Sequence, residues 1–367
     1  MAEALRADFL TTGPMVETFE TAFAAKVGAA HAVACSNGTA ALHLAMMALK
    51  VGPGDVCIAP SVTFLATANC ARYVGAEVVF ADVDPQTGLM TPDTLKEALG
   101  RVKTGRLRAV LPVHLRGDAA ELPALAQIAA EAGAVLVEDA PHALGTTTRF
   151  GGTSETIGDC RHSAMATFSF HPVKTIATGE GGMVTTNDPA LAERLRSLRS
   201  HGMVRPQGCD PWWYEMPEPG YNYRLPDILC ALGLSQLGKL DRFAARRRAL
   251  AARYLERLAP LAPLVRLART PDWSDPVLHL MVALIDFEAV GKTRREVVEA
   301  LKAREVGTQV HYIPVHRQPY YLERYGALDL PGAEAWYKDC LSLPLYPGMA
   351  DADVDKVVDV LEGAISG

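Results

Sequence analysis

Lys174 stands in FSFHPVKTIATGEGGMVTTND, residues 168–188, between two runs that read as β-strands and just ahead of a glycine-rich turn. The apolar stretch MATFSFHPV before it leads toward an interior, and Thr175, Ile176, Ala177 and Thr178 after it bring no carboxylate to pair with an ammonium. Burial without a counter-charge depresses a lysine pKa and leaves an amine able to attack a carbonyl, as in a Schiff base with pyridoxal phosphate. A lysine in a turn is ordinarily surface decoration, so this chemistry needs partners elsewhere in the chain.

Pyridoxal phosphate makes separate demands. Its ring nitrogen stays protonated beside a buried carboxylate, and Asp139 closes the apolar run AVLVED. A helix N-cap or a loop salt bridge would also explain an aspartate there. Its phosphate needs backbone amides at a helix N-terminus, and Ser36-Asn37-Gly38-Thr39 opens an apolar helix; capping alone accounts for those residues too. The ring needs a flat apolar partner, and Phe64 in SVTFLATAN follows a strand end, although core packing is the commoner use of phenylalanine. It is the order of these signals along the chain that makes them specific.

The elements that must position them alternate. SNGTAALHLAMMALKVGPGD places Leu42, Ala45, Met46 and Leu49 at helical spacing and closes on Gly52-Pro53-Gly54. The runs DVCIAPS, EVVFADVD, RAVLPVHL and AVLVEDA, separated by helical segments such as LPALAQIAAEAG, read as βαβ units of a parallel sheet. Ligands of such sheets sit beyond the carboxyl ends of the strands, so Ser61, Asp84, His114 and Asp139 are expected to face one crevice. VRPQGCDPWWYEMPEPGYNYRLPD, residues 204–227, is a long aromatic loop expected at a subunit interface. In LDRFAARRRALAARYLERL one face carries Phe243, Leu250, Tyr254 and Leu258, and Arg242, Arg246, Arg248, Arg253 and Arg257 form a solvated face. VLHLMVALID and VGTQVHYIP then read as strands alternating with the helices TRREVVEALKAR and ADADVDKVVDVLEGAI. The division expected is a large domain over 1–240 and a smaller α/β domain over 241–367.

Composition fits that picture. The chain has 367 residues, 49% hydrophobic and 21% charged, with a net charge of −6, which disfavours a nucleic-acid partner. Seven scattered cysteines without a CxxC pair indicate neither a disulfide framework nor a zinc site. The start MAEALRADFLTTGP has no apolar h-region and no later run approaches a membrane span, so a soluble, cytoplasmic protein is expected. The turn GEGG lacks the GxGxxG spacing of a dinucleotide site.

Taken in order, SNGTAALHLA, PSVTFLATAN, VEDAPHALG, FSFHPVKTIATGEGGMVTTND and GYNYRLPDILCALGLSQL resemble the DegT/DnrJ/EryC1/StrS family of pyridoxal-phosphate-dependent sugar aminotransferases over essentially the whole chain. The resemblance implies an α/β fold of type I, aspartate-aminotransferase-like, with a mostly parallel sheet. DFLTTGP, SHGM and VHYIPVHRQPYY most resemble the subgroup that makes UDP-4-amino-4,6-dideoxy-N-acetyl-β-L-altrosamine for pseudaminic acid. It further implies Lys174 as the internal-aldimine lysine, Asp139 beside the ring nitrogen, His142 near the phenolic oxygen, Phe64 on the ring, and Gly38, Thr39 and Ser169 at the phosphate. Asn222 would reach the phosphate in the neighbouring subunit, giving a homodimer with shared sites. Pro141, where relatives carry a small residue, removes one amide donor.

The resemblance also implies ping-pong transamination: L-glutamate converts pyridoxal phosphate to pyridoxamine phosphate, which then aminates the C4 keto group of a UDP-linked 4-keto-6-deoxy-N-acetylhexosamine, with Lys174 as nucleophile and proton shuttle. A dTDP- or GDP-linked sugar, or amination at C3, is the alternative. His311, Tyr312, His316 and Arg317 are candidates to meet the nucleotide sugar; five residues in a proline-containing segment is poor spacing for a histidine metal pair. A pyridoxamine-dependent 3-dehydratase of this fold would carry histidine in place of the lysine, and a catalytically idle regulatory dimer would not retain the cofactor.

Overall fold

Short apolar runs with β-branched residues are too brief to be helices and bury on both faces when helices cover a parallel sheet. The computed structural model, which describes residues 1–366, shows this arrangement; Gly367, the last residue of the expected 241–367 unit, lies outside it. The large sheet is built from β1 (His31–Cys35), β2 (Asp55–Pro60), β3 (Glu77–Ala81), β4 (Arg106–Val110) and β5 (Val135–Asp139). After the short hairpin β6 (Thr147–Phe150) and β7 (Thr153–Thr156) it is completed by β8 (Met165–Ser169) and β9 (Gly182–Thr186), in the order β1-β9-β8-β5-β4-β2-β3. Neighbours from β8 through β3 pair in parallel, and β9 alone runs against both β1 and β8.

This topology gathers the chemistry at one edge. β5 ends in Asp139 and β8 in Ser169, while antiparallel β9 begins there with Gly182, opposite both Ser169 and Cys35. Two residues after Cys35 the chain turns into a helix, α1 (Gly38–Ala48), capped by Asn37, whose side chain accepts the Ala40 amide at 2.8 Å. Side chains at Gly38 and Gly182 would prevent this. A Cβ on Gly38 would lie 2.8 Å from Ser169 Cβ, and one on Gly182 would collide with the Asn37 carbonyl oxygen. Gly182, the last glycine of GEGG, therefore permits close packing of backbone against the cap of α1.

The C-terminal part has its own core around Leu250, Tyr254, Met281, Leu301, Val358 and Leu361. Helices 240–258, 294–303 and 351–366 cover a small antiparallel sheet of β10 (Val265–Leu267), β12 (Met281–Ile285) and β13 (Cys340–Leu343), and the two-residue β11 (Ser274–Asp275) joins the hairpin of β6 and β7. The arginine face of helix 240–258 is not simply solvated. Arg246, Arg253 and Arg257 pair with Asp351, Asp355 and Asp359 of the last helix at 2.7, 2.5 and 2.5 Å. Arg247 points inward and donates to three carbonyls, those of Leu278, His279 and Leu345. VGTQVHYIP is not a strand either: it is extended with a single bridge, Gln309 to Ser342, because its next residues are held by the large sheet instead. There the Val315 amide donates to the Ser61 carbonyl at 2.8 Å, His316 Nδ1 and Ser61 Oγ lie 2.6 Å apart, and Asp82 accepts the amides of Gly332 and Ala333. This anchoring lays residues 309–318 over the edge where Asp139 and Ser169 end.

Gly182→Ala is expected to push the cap of α1 off β9 and cost about 1–3 kcal/mol, read from the midpoint of denaturant unfolding of the cofactor-free protein.

Candidate active site

A cavity of about 910 Å³ opens at this edge and is lined by residues drawn from segments between Asn37 and Gln318. The structure brings Gly38, Thr39, Phe64, Asp139, His142, Ser169 and Lys174 together in its wall, with His311 and Tyr312 from the overlying segment. Three expected residues are elsewhere. His316 is buried against Ser61 and, at 3.3 Å, Glu334; Arg317 pairs with the same Glu334 and covers the Tyr337 ring. Asn222 is exposed and bridges to Ser200, although its neighbour Tyr223 lines the cavity. Of the four polar residues expected to share a crevice, only Asp139 does so: Ser61 is consumed by His316, Asp84 caps its own turn at the amides of Gln86 and Thr87, and His114 is sealed against Glu138.

Lys174 is held by the loop between β8 and β9. The Phe170 amide donates to the Gly181 carbonyl at 2.8 Å and the Thr178 amide to the Phe170 carbonyl at 2.9 Å, closing the loop at its base. Within it the Lys174 amide donates to the His171 carbonyl, and buried Phe170 and Ile176 anchor the two arms. Burial pushes the Lys174 ammonium down to about 8, against the attraction of Asp139. Burial likewise raises the Asp139 carboxyl, opposed by the Thr67 hydroxyl, which donates to Oδ2, and by Lys174. Because Thr67 gives its one proton to Asp139, Thr63, 2.6 Å away, donates to Thr67, so a chain of hydroxyls fixes the carboxylate.

The buried imidazoles and the tyrosine of the wall are kept neutral. His142 and His279 pack ring on ring, 4.5 Å between centroids, and burial followed by the nearby Lys174 charge holds both well below the usual imidazole range. His311 is pushed down to about 4 by the same two causes and sits 2.8 Å from Ser342 Oγ. Burial raises the Tyr312 hydroxyl, 3.5 Å from His142 Nε2. Among the described residues of the wall there is no arginine.

These groups fit pyridoxal phosphate. Asp139 Oδ1 has no donor among the described residues, which leaves a buried carboxylate with acceptor capacity for a protonated ring nitrogen. The amides of Gly38 and Thr39 open α1 without acceptors among the described residues, beside Ser169 and at the positive end of the helix. Phe64 exposes 56% of its surface although it belongs to the cavity wall, an apolar face without a partner. Thr67, Tyr223, His279 and Gln309 were missed by sequence reasoning. Thr67 was within reach, since it lies three residues after Phe64 in the same motif, and so were Tyr223 beside Asn222 in GYNYR and Gln309 just before His311; His279 arrives from a distant segment with no local signal. The described residues contain no group of three or more His, Cys, Asp or Glu placed to hold a metal, no helix long and apolar enough to cross a membrane, and seven free cysteines.

Comparison with known proteins places this geometry in a family. The family model for DegT/DnrJ/EryC1/StrS aminotransferases matches residues 1–362. The spore coat polysaccharide biosynthesis protein SpsC of Bacillus subtilis is 41% identical over 380 residues, covering all of this chain and 94% of SpsC. The crystal structure of S. venezuelae DesV in complex with a ketimine intermediate superposes with a TM-score of 0.88 at 36% identity, covering all of this chain and 93% of DesV. Helicobacter pylori PseC, an aminotransferase of pseudaminic acid biosynthesis, superposes with a TM-score of 0.89 at 27% identity, covering 99% of this chain and 94% of PseC. The fold is therefore type I, as in DesV and PseC. Identity to SpsC and DesV exceeds that to PseC, so the pseudaminic acid subgroup expected from three short stretches does not follow from these comparisons. The chain belongs to the DegT/DnrJ/EryC1/StrS family of pyridoxal-phosphate-dependent sugar aminotransferases.

Proposed function

We propose that the protein moves an amino group from L-glutamate to the C4 keto group of a nucleotide-linked 4-keto-6-deoxy sugar, with a UDP-linked 4-keto-6-deoxy-N-acetylhexosamine as acceptor. The observation that carries this is a desolvated Lys174 in one cavity with a buried, half-unpaired Asp139 and the free amides of α1. The UDP-linked acceptor is supported by the motifs DFLTTGP, SHGM and VHYIPVHRQPYY, which resemble the subgroup named above.

Pyridoxal phosphate, when bound, supplies a conjugated ring that accepts the electrons left at the amino donor's Cα. Asp139 would keep the proton on the ring nitrogen, Gly38, Thr39 and Ser169 would hold the phosphate, Phe64 would cover the ring, and His142 would stand near its phenolic oxygen. Lys174 would take the Cα proton of the donor and return it two bonds away, on the far side of the transferred nitrogen, and would run the transfer in reverse for the sugar. Tyr312 and the segment over the cavity keep water from that proton. His311 and Tyr312, both in the cavity wall, would meet the sugar, and His316 and Arg317 would act only through the anchoring of that segment. Asn222, exposed and outside its own cavity, is proposed to reach the cofactor phosphate of a second copy in a homodimer, with residues 1–240 holding the cofactor and 241–367 completing the cover.

With L-glutamate and the UDP-linked keto sugar, mass spectrometry should detect the amino sugar and 2-oxoglutarate in equal amounts, and Lys174→Ala should lower the rate by at least about 10³-fold. Asp139→Asn should lower turnover by on the order of 10² while the protein still captures cofactor, measured by steady-state kinetics and absorbance. Capture needs the free amine, and a lysine lowered to about 8 is roughly one-tenth free at neutral pH. The rate at which cofactor-free protein forms its visible chromophore should therefore rise with pH and level off above a midpoint near 8, with no further rise near the ordinary lysine value.

A further inference from the structure

We propose that His279 donates a hydrogen bond from Nε2 to each substrate in turn: to the α-carboxylate of the amino donor in one half-reaction and to a sugar hydroxyl in the other. This rests on the function proposed above.

His279 is held more firmly than any packing need explains. Its amide donates to the Arg116 carbonyl at 2.6 Å, and its own carbonyl accepts from Arg247 Nη1 at 3.3 Å. Both arginines are buried, and Arg116 is ion-paired with buried Asp118. Gly117, at a φ of +110°, lets this turn close on the segment: a Cβ there would collide with the Val277 carbonyl oxygen and lie 3.1 Å from that of His142. The two histidine rings are thereby pressed together at the cavity wall.

The ring's hydrogen bonding is incomplete. His279 is only 6% exposed, and its Nδ1 is sealed from solvent with no partner among the described residues. Burial and Lys174 keep the ring uncharged, so one nitrogen carries a proton and the other a lone pair. An unmet buried N–H is rarer than an unmet acceptor, which puts the lone pair on sealed Nδ1 and the proton on Nε2. Nε2 also lacks a partner among the described residues, and what remains accessible of the ring belongs to the cavity wall.

A transaminase must accept an anionic amino acid and a sugar in the same space. A buried guanidinium would suit the carboxylate and be left uncompensated when the sugar replaces it. The wall has no arginine among its described residues, and its one lysine carries the chemistry. An uncharged N–H serves carboxylate and hydroxyl oxygens alike, with no charge stranded between half-reactions.

The test uses binding without turnover. Cofactor-loaded wild type, His279→Phe and His279→Gln are titrated by calorimetry with 2-oxoglutarate, which carries the α-carboxylate, and separately with UDP-N-acetylglucosamine, which carries sugar hydroxyls. His279→Phe should weaken both by about tenfold, while His279→Gln, whose amide nitrogen replaces Nε2, should stay within about threefold of wild type. Should the phenylalanine variant lose its fold in a thermal melt, His279→Met against His279→Gln makes the same comparison. A donor-free variant that binds both probes as wild type does, or that weakens only one, overturns the inference. Wild type that binds neither probe would instead sink the reading of the cavity on which it stands.

Discussion

Two opposite charges, Lys174 and Asp139, are taken out of water at the same sheet edge, and each offsets part of the other's desolvation. Desolvating both costs far more than their attraction returns unless further groups complete them. That accounts for the hydroxyl chain Thr63–Thr67 behind Asp139, the closed loop under Lys174 and the acceptor capacity Asp139 keeps on its cavity side. It also accounts for the neutrality of the surrounding imidazoles, since a charged His142, His279 or His311 would compete with Lys174 for the same carboxylate. A protein stabilised for its own sake would not keep this arrangement; a site awaiting a protonated ring and an aldehyde would.

The fold supplies the edge at low cost. Parallel β2, β4, β5 and β8 end together, and reversing β9 brings Gly182 beside Ser169 so that the cap of α1 can settle on backbone. The C-terminal part then contributes from above. Its anchoring through Ser61, Asn69 and Asp82, with Tyr321 donating to Asn69 at 2.7 Å, sets where Tyr312 and His311 hang over the cavity. His316 and Arg317 belong to this anchoring, not to the wall.

Much of this was legible in the sequence because it is local. A capped helix, strands ending in Asp139 and Ser169, and a lysine in an uncharged turn each announce themselves within about ten residues, and the resemblance to the family joined them. What could not be read was set by distant packing. Arg247 sits among five neighbouring arginines with nothing local to mark it as the buried one, and the pairing of Arg246, Arg253 and Arg257 with the last helix needs a partner over a hundred residues away. VGTQVHYIP has the composition of a strand, yet the residue that follows it, Val315, is tied to Ser61. His279 lies in the apolar run VLHLMVALID, where its neighbours suggest only core. An idle binder is disfavoured by the family and by the desolvated lysine together, and a dehydratase of this fold by the lysine itself.

The central proposal is that Lys174, paired with Asp139, is the amine that links the cofactor. Reduction of the pyridoxal-phosphate-loaded protein with borohydride, followed by peptide mapping, tests it directly. The predicted result is a single stable pyridoxyl adduct on the peptide containing Lys174; an adduct on another lysine, or none on a protein that holds the cofactor, would contradict it.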